Sequence, residues 1–201
     1  MQVSRLKLTL ISFFIGMLIT SIGHATTLVM MDHEEKTKLA NEIVIGTVEE
    51  AIDHDWETTP NGNSILHTII FIHVEKVLKT SSDIQVGDVI PVYRIGGTVD
   101  GLDMPAVGSP KFAPNSRVML FLFKDRENNY RIVGFPQGKF RLYRQQSQEG
   151  GYLCLQDKAV LGAHILDPKT GNEVSISDKE RRMSLKTLEN IINKSQKEAN
   201  K

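Results

Sequence analysis

The chain has little cysteine, little tryptophan and no excess of charge of either sign. Its 201 residues include one cysteine, one tryptophan, 24 basic and 24 acidic residues. Because Cys154 is the single cysteine, no intrachain disulfide can form. Balanced charge also gives no global attraction to nucleic acid or to anionic membranes. These absences exclude a disulfide-stabilised module and a strongly basic nucleic-acid-binding protein.

Only one long apolar run is present, and it lies at the start of the chain. An apolar stretch over residues 8–22 follows Arg5 and Lys7 and precedes Ala25. This order is typical of a signal peptide, so residues 1–25 are predicted to be removed on export. The run is short for a bilayer span, which needs ~20 apolar residues. An uncleaved membrane anchor is the alternative interpretation.

The remainder of the chain suits one exported domain. Residues 26–201 carry 22 basic and 24 acidic residues, a net charge of −2, and are numerous enough to bury a core of their own. An exported chain that needs no disulfide is more typical of a bacterial envelope than of a small animal secreted module. We therefore expect a periplasmic or secreted protein with no stable membrane anchor after cleavage.

Alternation with a period of two residues dominates the middle of the chain and predicts strands. The longest such run is "ILHTIIFIHVEKVLK", which is apolar on both faces in its middle, as in a strand that bends across two layers of a small barrel. A strand is predicted at "EIVIGTV", with Gly46 at a bend or bulge. Further strands are predicted at "VIPVYRI", "RVMLFLF", "YRIVGF", "GKFRLYR" and "GYLCLQ".

Helices are predicted at both ends of this series of strands. The first covers residues 32–39, with Asp32 as its N-cap. The second covers about residues 183–197, with Ser184 as its N-cap and an apolar stripe of Leu185, Leu188, Ile191 and Ile192. The predicted fold is mainly β, an OB-like antiparallel β-barrel with a short N-terminal helix and a C-terminal amphipathic helix, in a single domain over residues 26–201.

A stretch rich in glycine and proline, "RIGGTVDGLDMPAVGSPKF", lies between two predicted strands. A phosphate-binding glycine loop leads into a helix, and the P-loop carries a lysine, whereas this stretch leads into the strand "RVMLFLF". We predict a long ordered connection, because Pro105 and Pro110 restrict it and apolar side chains can pin it to the barrel. Ordered long loops often carry binding functions, so its apolar anchors are candidate binding residues: Met104, Val107 and Phe112.

A second candidate surface lies on the strand "GKFRLYR". Alternation places Lys139, Arg141 and Tyr143 together on an exposed face and Phe140 and Leu142 on the core face. Basic and aromatic side chains together suit an oligosaccharide or a single-stranded nucleic acid. Export and a slightly negative net charge argue against nucleic acid as the natural ligand.

No catalytic or metal-binding motif stands out. The segments "DHEE" and "DHDWE" lack the paired histidines of H-E-x-x-H and are predicted to be solvated turn and helix-start segments. His67 and His73 lie about 20 Å apart on one strand, too far to share an ion, and are predicted to be ordinary strand residues. Cys154, His164 and Asp167 are the residue types of a thiol triad, but a reactive thiol needs a base within hydrogen-bond reach, so Cys154 is predicted to be passive. No catalytic residue, metal ligand or cofactor is predicted.

Several segments carry a resemblance to known proteins. "ANEIVIGTVEE", "FIHVEKVLK", "GDVIPVYRIGG", "VGSPKFAPNSRVMLFLF" and "YRIVGFPQGKFRL" resemble a group of small exported bacterial proteins of unknown function, over about residues 40–142. More distantly, "ANEIVIGTV", "EKVLK" and "RVMLFLF" look like the netrin-like modules, a family of OB-type barrels that includes the tissue inhibitors of metalloproteinases. Those inhibitors chelate zinc through an N-terminal cysteine held by disulfides. This chain has Cys154 alone, so the second resemblance implies only the fold.

Together these observations predict an exported, noncatalytic binding or interaction module that recognises an unidentified protein or another envelope component. The alternatives are a hydrolase or other enzyme with an unrecognised polar site, and oligosaccharide or single-stranded nucleic-acid binding on the face of Lys139. An enzyme would bring several acid, base or nucleophilic groups to one pocket with shifted pKa values. A binding module would show a shallow apolar or aromatic patch.

Overall fold

The computed structural model describes residues 27–58, 61–145 and 151–199, which form a mainly β fold with helices α1 (His33–Leu39) and α2 (Leu185–Ala199). The predicted signal peptide, residues 1–25, lies outside the described residues. Within the described part of the chain, neither helix is long and apolar enough to cross a bilayer. The strands are β1 (Thr27–Val29), β2 (Glu42–Thr58), β3 (Ser64–Lys79), β4 (Val89–Ile95), β5 (Gly97–Val99), β6 (Leu102–Met104), β7 (Arg117–Lys124), β8 (Tyr130–Ile132), β9 (Lys139–Arg144), β10 (Tyr152–Gln156), β11 (His164–Leu166) and β12 (Arg182–Ser184).

Five of these strands close into a barrel. β2 pairs with β3 and β7, β3 pairs with β4, and β8 completes the ring by pairing with both β4 and β7. β9, β10 and β12 extend the same sheet outward from β7. Two short 3-10 turns, Phe135–Gly138 and Lys158–Gly162, follow β8 and β10.

The expectation of an antiparallel barrel holds for four of the five junctions in the ring, and the sheet as a whole is mixed. β4 and β8 run parallel, as do β1 and β11 outside the barrel. A closed ring with an odd number of strands cannot alternate in direction all the way round. The four other junctions, β2 with β3, β3 with β4, β2 with β7 and β7 with β8, are antiparallel. The junction between β4 and β8 therefore has to be parallel.

Alternation along the barrel strands separates two hydrophobic cores. The inner core fills the barrel, and its buried members are all valine, isoleucine or leucine: Val44, Val48, Ile70, Ile72, Val74, Ile90, Val92, Val118, Leu120, Leu122 and Ile132. The outer core lies between the outside of the barrel, β9, β10 and helix α2. Its buried members are Ala40, Ile43, Ile45, Met119, Phe121, Val133, Phe140, Leu142, Cys154, Leu188 and Ile192. Both cores therefore depend on the opposite faces of β2 and β7.

β2 continues further than the sequence pattern indicates. It pairs with β3 as far as Thr58 opposite Ser64, so the segment "DHDWE" is a strand and not a solvated turn. The ladder shifts register between Ile45 and Gly46, as predicted for a bend or bulge. An added Cβ at Gly46 would lie 2.4 Å from the backbone oxygen of His73, so only glycine fits this close approach.

Both predicted N-caps are present. The Glu35 amide donates to Asp32 Oδ1 at 2.7 Å before α1. The Thr187 amide donates to Ser184 Oγ at 3.1 Å before α2. Each cap satisfies a backbone donor that the first helical turn leaves without a partner. Helix α2 buries Leu188 and Ile192 of its predicted stripe.

Candidate functional site

The glycine-rich stretch after β4 is an ordered hairpin followed by a packed connection. β5 and β6 pair across Asp100 and Gly101, which have φ of 50° and 78°. Thr68 Oγ1 donates to the Gly96 carbonyl at 2.5 Å, and Ser109 Oγ donates to the Ile95 carbonyl at 2.8 Å. Sequence reasoning missed this hairpin, although Asp-Gly is among the strongest signals for a two-residue turn.

The three predicted loop anchors differ in how far they are buried. Met104 is half-buried at the end of β6, and the side chain of Val107 is 49% exposed. Phe112 is half-buried against the inner core. None of the three lines either pocket described below.

One pocket, of about 610 Å³, opens beside β3, β4 and β8 and is called here the His67 pocket. Its volume is in the range of small-molecule sites. Its apolar side is formed by Ile65, Tyr93, Ile95, Pro110, Phe123, Ile132 and Phe135. Its polar side is formed by Glu57, Thr58, His67, Arg94, Asp125, Arg126, Glu127 and Arg131.

A chain of paired polar side chains crosses the polar side of the His67 pocket. His67 Nδ1 lies 3.3 Å from Glu57 Oε2, and the same oxygen accepts from Arg131 Nη2 at 3.3 Å. Arg131 Nε donates to Asp125 Oδ2 at 2.7 Å. The Arg131 guanidinium also lies 5.6 Å from the centroid of the Tyr93 ring. Two carboxylates therefore match the positive charge of Arg131.

Burial and these partners fix the charge of His67 and Asp125. Burial lowers the pKa of His67, and Arg131 lowers it further, against the opposing effect of Glu57. Burial alone would raise the pKa of Asp125, but hydrogen bonds from Arg131 and from the backbone of Asn129 outweigh it and leave that pKa lowered. At neutral pH, His67 is uncharged and Asp125 is ionised.

Arg94 differs from the other charged groups of the pocket. It follows Ile90 and Val92 on the face of β4 that points into the barrel, and it is half-buried where that row ends. Burial lowers the pKa of Arg94. Among the residues that the structure describes, no charged or hydrogen-bonding partner acts on its guanidinium. Arg94 is therefore a cationic lining residue whose donors have no protein partner among the described residues.

The pocket wall also contains a strained backbone position. Phe135 has φ of 59°, directly after Gly134 with φ of 62°. A positive φ in a bulky residue is uncommon and is retained where the surrounding structure fixes it. This conformation places the Phe135 side chain at the pocket.

Most of the polar side chains that line the His67 pocket are charged. The lining includes Thr58 but no serine or cysteine. Cys154 lies in the outer core, where burial raises the pKa of its thiol to about 12, so it is not a thiolate at neutral pH. The carboxylates Glu57 and Asp125 are engaged by Arg131. The part of the chain that the structure describes also holds no cluster of three or more histidine, cysteine or carboxylate side chains placed to bind a metal ion.

A second pocket, of about 550 Å³, lies beside β9 and β10 and is called here the Lys139 cleft. It brings together all three residues predicted on "GKFRLYR". Arg141 and Tyr143 are exposed, with the Arg141 guanidinium 5.1 Å from the centroid of the Tyr143 ring. The cleft is lined by Lys111, Lys139, Arg141, Tyr143, Leu155, Gln156, Asp157, Lys158, Ala159 and Arg181.

Lys139 is not exposed as predicted. Its side chain is 5% exposed, its Nζ lies 2.6 Å from Asp157 Oδ2, and the same nitrogen lies 4.9 Å from the centroid of the Phe112 ring. Burial lowers its pKa, against the effect of Asp157. Alternation assigned the face of β9 correctly but could not show that Asp157 and the loop at Phe112 cover Lys139.

The residues of the His67 pocket were not identified from the sequence. Glu57, His67 and Arg131 come from β2, β3 and β8, and only the barrel brings them together. One local signal exists, because a histidine in the middle of the apolar run "ILHTIIFI" needs a polar partner when it is buried. No pattern in the sequence names that partner.

Comparison with known proteins does not assign the chain to a family. No protein-family model matches the chain, and no curated protein shows significant similarity to it.

Proposed function

We propose that this protein is an exported, noncatalytic binding module on an OB-like barrel, and that the His67 pocket holds its ligand. The observation that carries this proposal is a pocket of about 610 Å³ whose aromatic and aliphatic wall faces a fixed set of polar groups. Such a combination is typical of small-molecule sites, in which apolar contacts supply affinity and a few polar groups supply orientation.

Strand order supports the OB-like part of the proposal. Numbering the five barrel strands along the chain, the ring runs first, second, third, fifth, fourth and back to the first. OB folds are small five-stranded barrels that carry ligands on the barrel face and its loops. The His67 pocket lies on such a face, between β3, β4 and β8.

The ligand-binding proposal is tested with a neutral apolar probe, N-phenyl-1-naphthylamine, whose fluorescence rises in apolar surroundings. The full chain, purified in the form in which the cell produces it, is expected to bind the probe saturably at one site. Ile95→Trp places a large ring in the pocket and is expected to abolish this binding. Leu161→Trp makes a similar change at a position that is exposed and outside the pocket, and it is expected to have no effect. Absence of saturable binding, or equal loss in both variants, would contradict the proposal.

Export is supported by the sequence of residues 1–25 and is tested separately. Mass spectrometry of the protein isolated from its cell of origin is expected to show a chain that begins at Thr26. A chain that begins at Met1 would contradict export by cleavage.

A second candidate function is the binding of a polyanion in the Lys139 cleft. Lys111, Arg141 and Lys158 line the cleft without an ion pair to any residue in the described ranges, and Tyr143 offers a stacking surface. An oligosaccharide with sulfate or phosphate groups, or a single-stranded nucleic acid, would suit these groups.

The test of this second function is salt-dependent binding of oligothymidylate and of a sulfated oligosaccharide. Arg141→Glu is expected to weaken binding of either ligand about tenfold or more at low salt, because it reverses one contact charge. Lys197→Glu reverses a charge on α2 outside the cleft and serves as the control. Binding that is insensitive to salt and to Arg141→Glu would exclude this function.

A further inference from the structure

We propose that the ligand of the His67 pocket is a small molecule with an apolar body and one oxyanion group, and that Arg94 binds the oxyanion. This inference rests on the proposed function of the pocket and names the chemical class of its ligand. Three arginines line the pocket, which are Arg94, Arg126 and Arg131.

Arg131 is already neutralised within the protein. Its Nε donates to Asp125 and its Nη2 to Glu57. Both carboxylates also belong to the pocket lining. A ligand anion at Arg131 would have to displace one of them or approach it closely, so this arginine does not favour an anion.

Arg126 is exposed at the rim, on the turn between β7 and β8. Its donors are accessible to solvent, and the acidic residue Glu127 is its neighbour in the chain and in the pocket lining. In water a contact between two opposite charges contributes little. Arg126 can attract an anion weakly but does not fix it in place.

Arg94 is the arginine that would gain most from the hydrogen-bond acceptors and negative charge of a ligand. Arg94 is half-buried at the end of the inner-core row formed by Ile90 and Val92. No acceptor among the described residues satisfies its donors. A guanidinium presents a planar fork of N–H groups that matches a carboxylate, phosphate or sulfonate with two hydrogen bonds. Its low-dielectric surroundings strengthen such a pair relative to the same contact in water.

The rest of the pocket specifies an apolar body. Tyr93 and Ile95 lie on the other face of β4 from Arg94, and together with Phe123 and Phe135 they line the same pocket. His67 is uncharged at neutral pH because burial lowers its pKa. With Arg131 paired and His67 neutral, Arg94 is the one unpaired cation in the half-buried lining among the residues that the structure describes. One oxyanion therefore matches it, and a second would lie against Glu57 or Asp125.

The test uses two fluorescent probes that differ in one group. 1-Anilinonaphthalene-8-sulfonate and N-phenyl-1-naphthylamine share the anilinonaphthalene body, and only the first carries an oxyanion. The full-length protein as the cell produces it is expected to bind the sulfonate about 10- to 100-fold more tightly than the neutral probe, the range that charge-assisted hydrogen bonds supply. Arg94→Gln is expected to remove this preference, and its thermal unfolding, measured in parallel, shows whether the variant still folds.

Two further variants make the test specific. Arg94→Lys retains the charge but loses the planar fork, and it is expected to keep only part of the preference. Arg126→Gln removes a charge from the same lining at the exposed rim and is expected to change the preference less than threefold.

Each outcome separates this inference from the proposed function. If neither probe binds the unmodified protein, the proposed function fails and the inference fails with it. If both probes bind equally tightly, or if Arg94→Gln keeps the preference, the pocket binds ligands but Arg94 does not bind an oxyanion. If Arg126→Gln removes the preference as fully as Arg94→Gln, attraction at the rim accounts for it and the inference is overturned.

Discussion

The two cores of this protein are made by opposite faces of the same strands, yet they differ in chemistry. The buried side chains of the inner core are all aliphatic. The outer core includes Phe121, Phe140 and Cys154, and it borders Lys36 and His33 of helix α1. Lys36 is 1% exposed, and its Nζ donates to the Gln137 carbonyl at 3.3 Å.

The difference shows how the two cores are assembled. A ring of hydrogen-bonded strands defines the inner core, so aliphatic side chains of the right volume are sufficient to fill it. The outer core joins α1, β9, β10 and α2 to the outside of the barrel, and those segments bring polar groups with them. We therefore expect the inner core to determine total stability and the outer core to determine how stability depends on pH.

The largest expected effect comes from removing matched isoleucines from the two cores. Ile72 in the inner core and Ile192 in the outer core are both 0% exposed. Ile72→Ala is expected to lower the free energy of unfolding by about 4 kcal/mol and Ile192→Ala by about 2 to 3 kcal/mol, because a closed ring relaxes less around a cavity than a helix on its surface does. Urea denaturation of both variants measures this. A larger loss for Ile192→Ala would reverse the assignment of the two cores.

The next effect concerns the buried lysine. Burial lowers the pKa of Lys36 to about 7, against the opposing effect of Asp32. Between about pH 10.5 and pH 7 the unfolded chain binds this proton and the folded chain does not, so stability falls as pH falls through that range. Lys36→Met is therefore expected to stabilise the fold by about 2 to 4 kcal/mol at pH 6, and less at pH 10. Lys38→Met, at an exposed position on the same helix, is the control. A destabilised Lys36→Met protein at pH 6 would contradict this account.

His33 is expected to govern part of the acid limb of the stability curve. Its pKa is lowered to about 4, by burial first and then by Lys36, and its buried Nδ1 has no hydrogen-bond partner among the described residues. Below pH 6.5 the unfolded chain gains a proton that the folded chain does not bind until about pH 4. Stability is thus expected to fall by roughly 2 to 3 kcal/mol over that interval. His33→Leu should flatten this part of the curve in thermal unfolding. An unchanged slope would assign the acid limb to other groups, such as His67.

The smallest expected effect is at Cys154. Cys154→Ser places a hydroxyl group in an apolar cluster and is expected to cost about 1 to 2 kcal/mol, while the protein still folds and still binds the fluorescent probes. Since the pKa of the thiol is raised to about 12, iodoacetamide at pH 8 should label it only after unfolding. Rapid labelling of the folded protein, or loss of probe binding with the fold intact, would indicate a reactive role.

The sequence predicts the elements of this fold better than it predicts their neighbours. Alternation identified most barrel strands, and residue type identified Gly46, Asp32 and Ser184, because these features depend on residues near in the chain. The parallel junction of β4 with β8 depends on barrel closure. Counting five strands in a closed ring would have predicted it.

The same distinction holds for the candidate sites, because residues on one strand were predicted and contacts between separate segments were not. Lys139, Arg141 and Tyr143 were found because one strand carries all three. The burial of Lys139 by Asp157 was not predicted, since that contact joins separate segments. Likewise, the sequence contains His67 and Arg94 but does not show that one is paired while the other is not. Pairing in a buried network is a property of the three-dimensional arrangement.

The pairing of β1 with β11 has a consequence for the order of events during synthesis. Leu28 lies opposite Ile165, and the side chain of Gln137 donates to the Val29 carbonyl and accepts from the Met31 amide. A ribosome releases the chain from its N-terminus, so the barrel strands through Ile132 are available to close before β11 exists. β1 is therefore expected to remain unpaired until β11 has been synthesised. The first strand described here is among the last to be secured, and until then it remains open to proteases and to any factor that binds extended peptide.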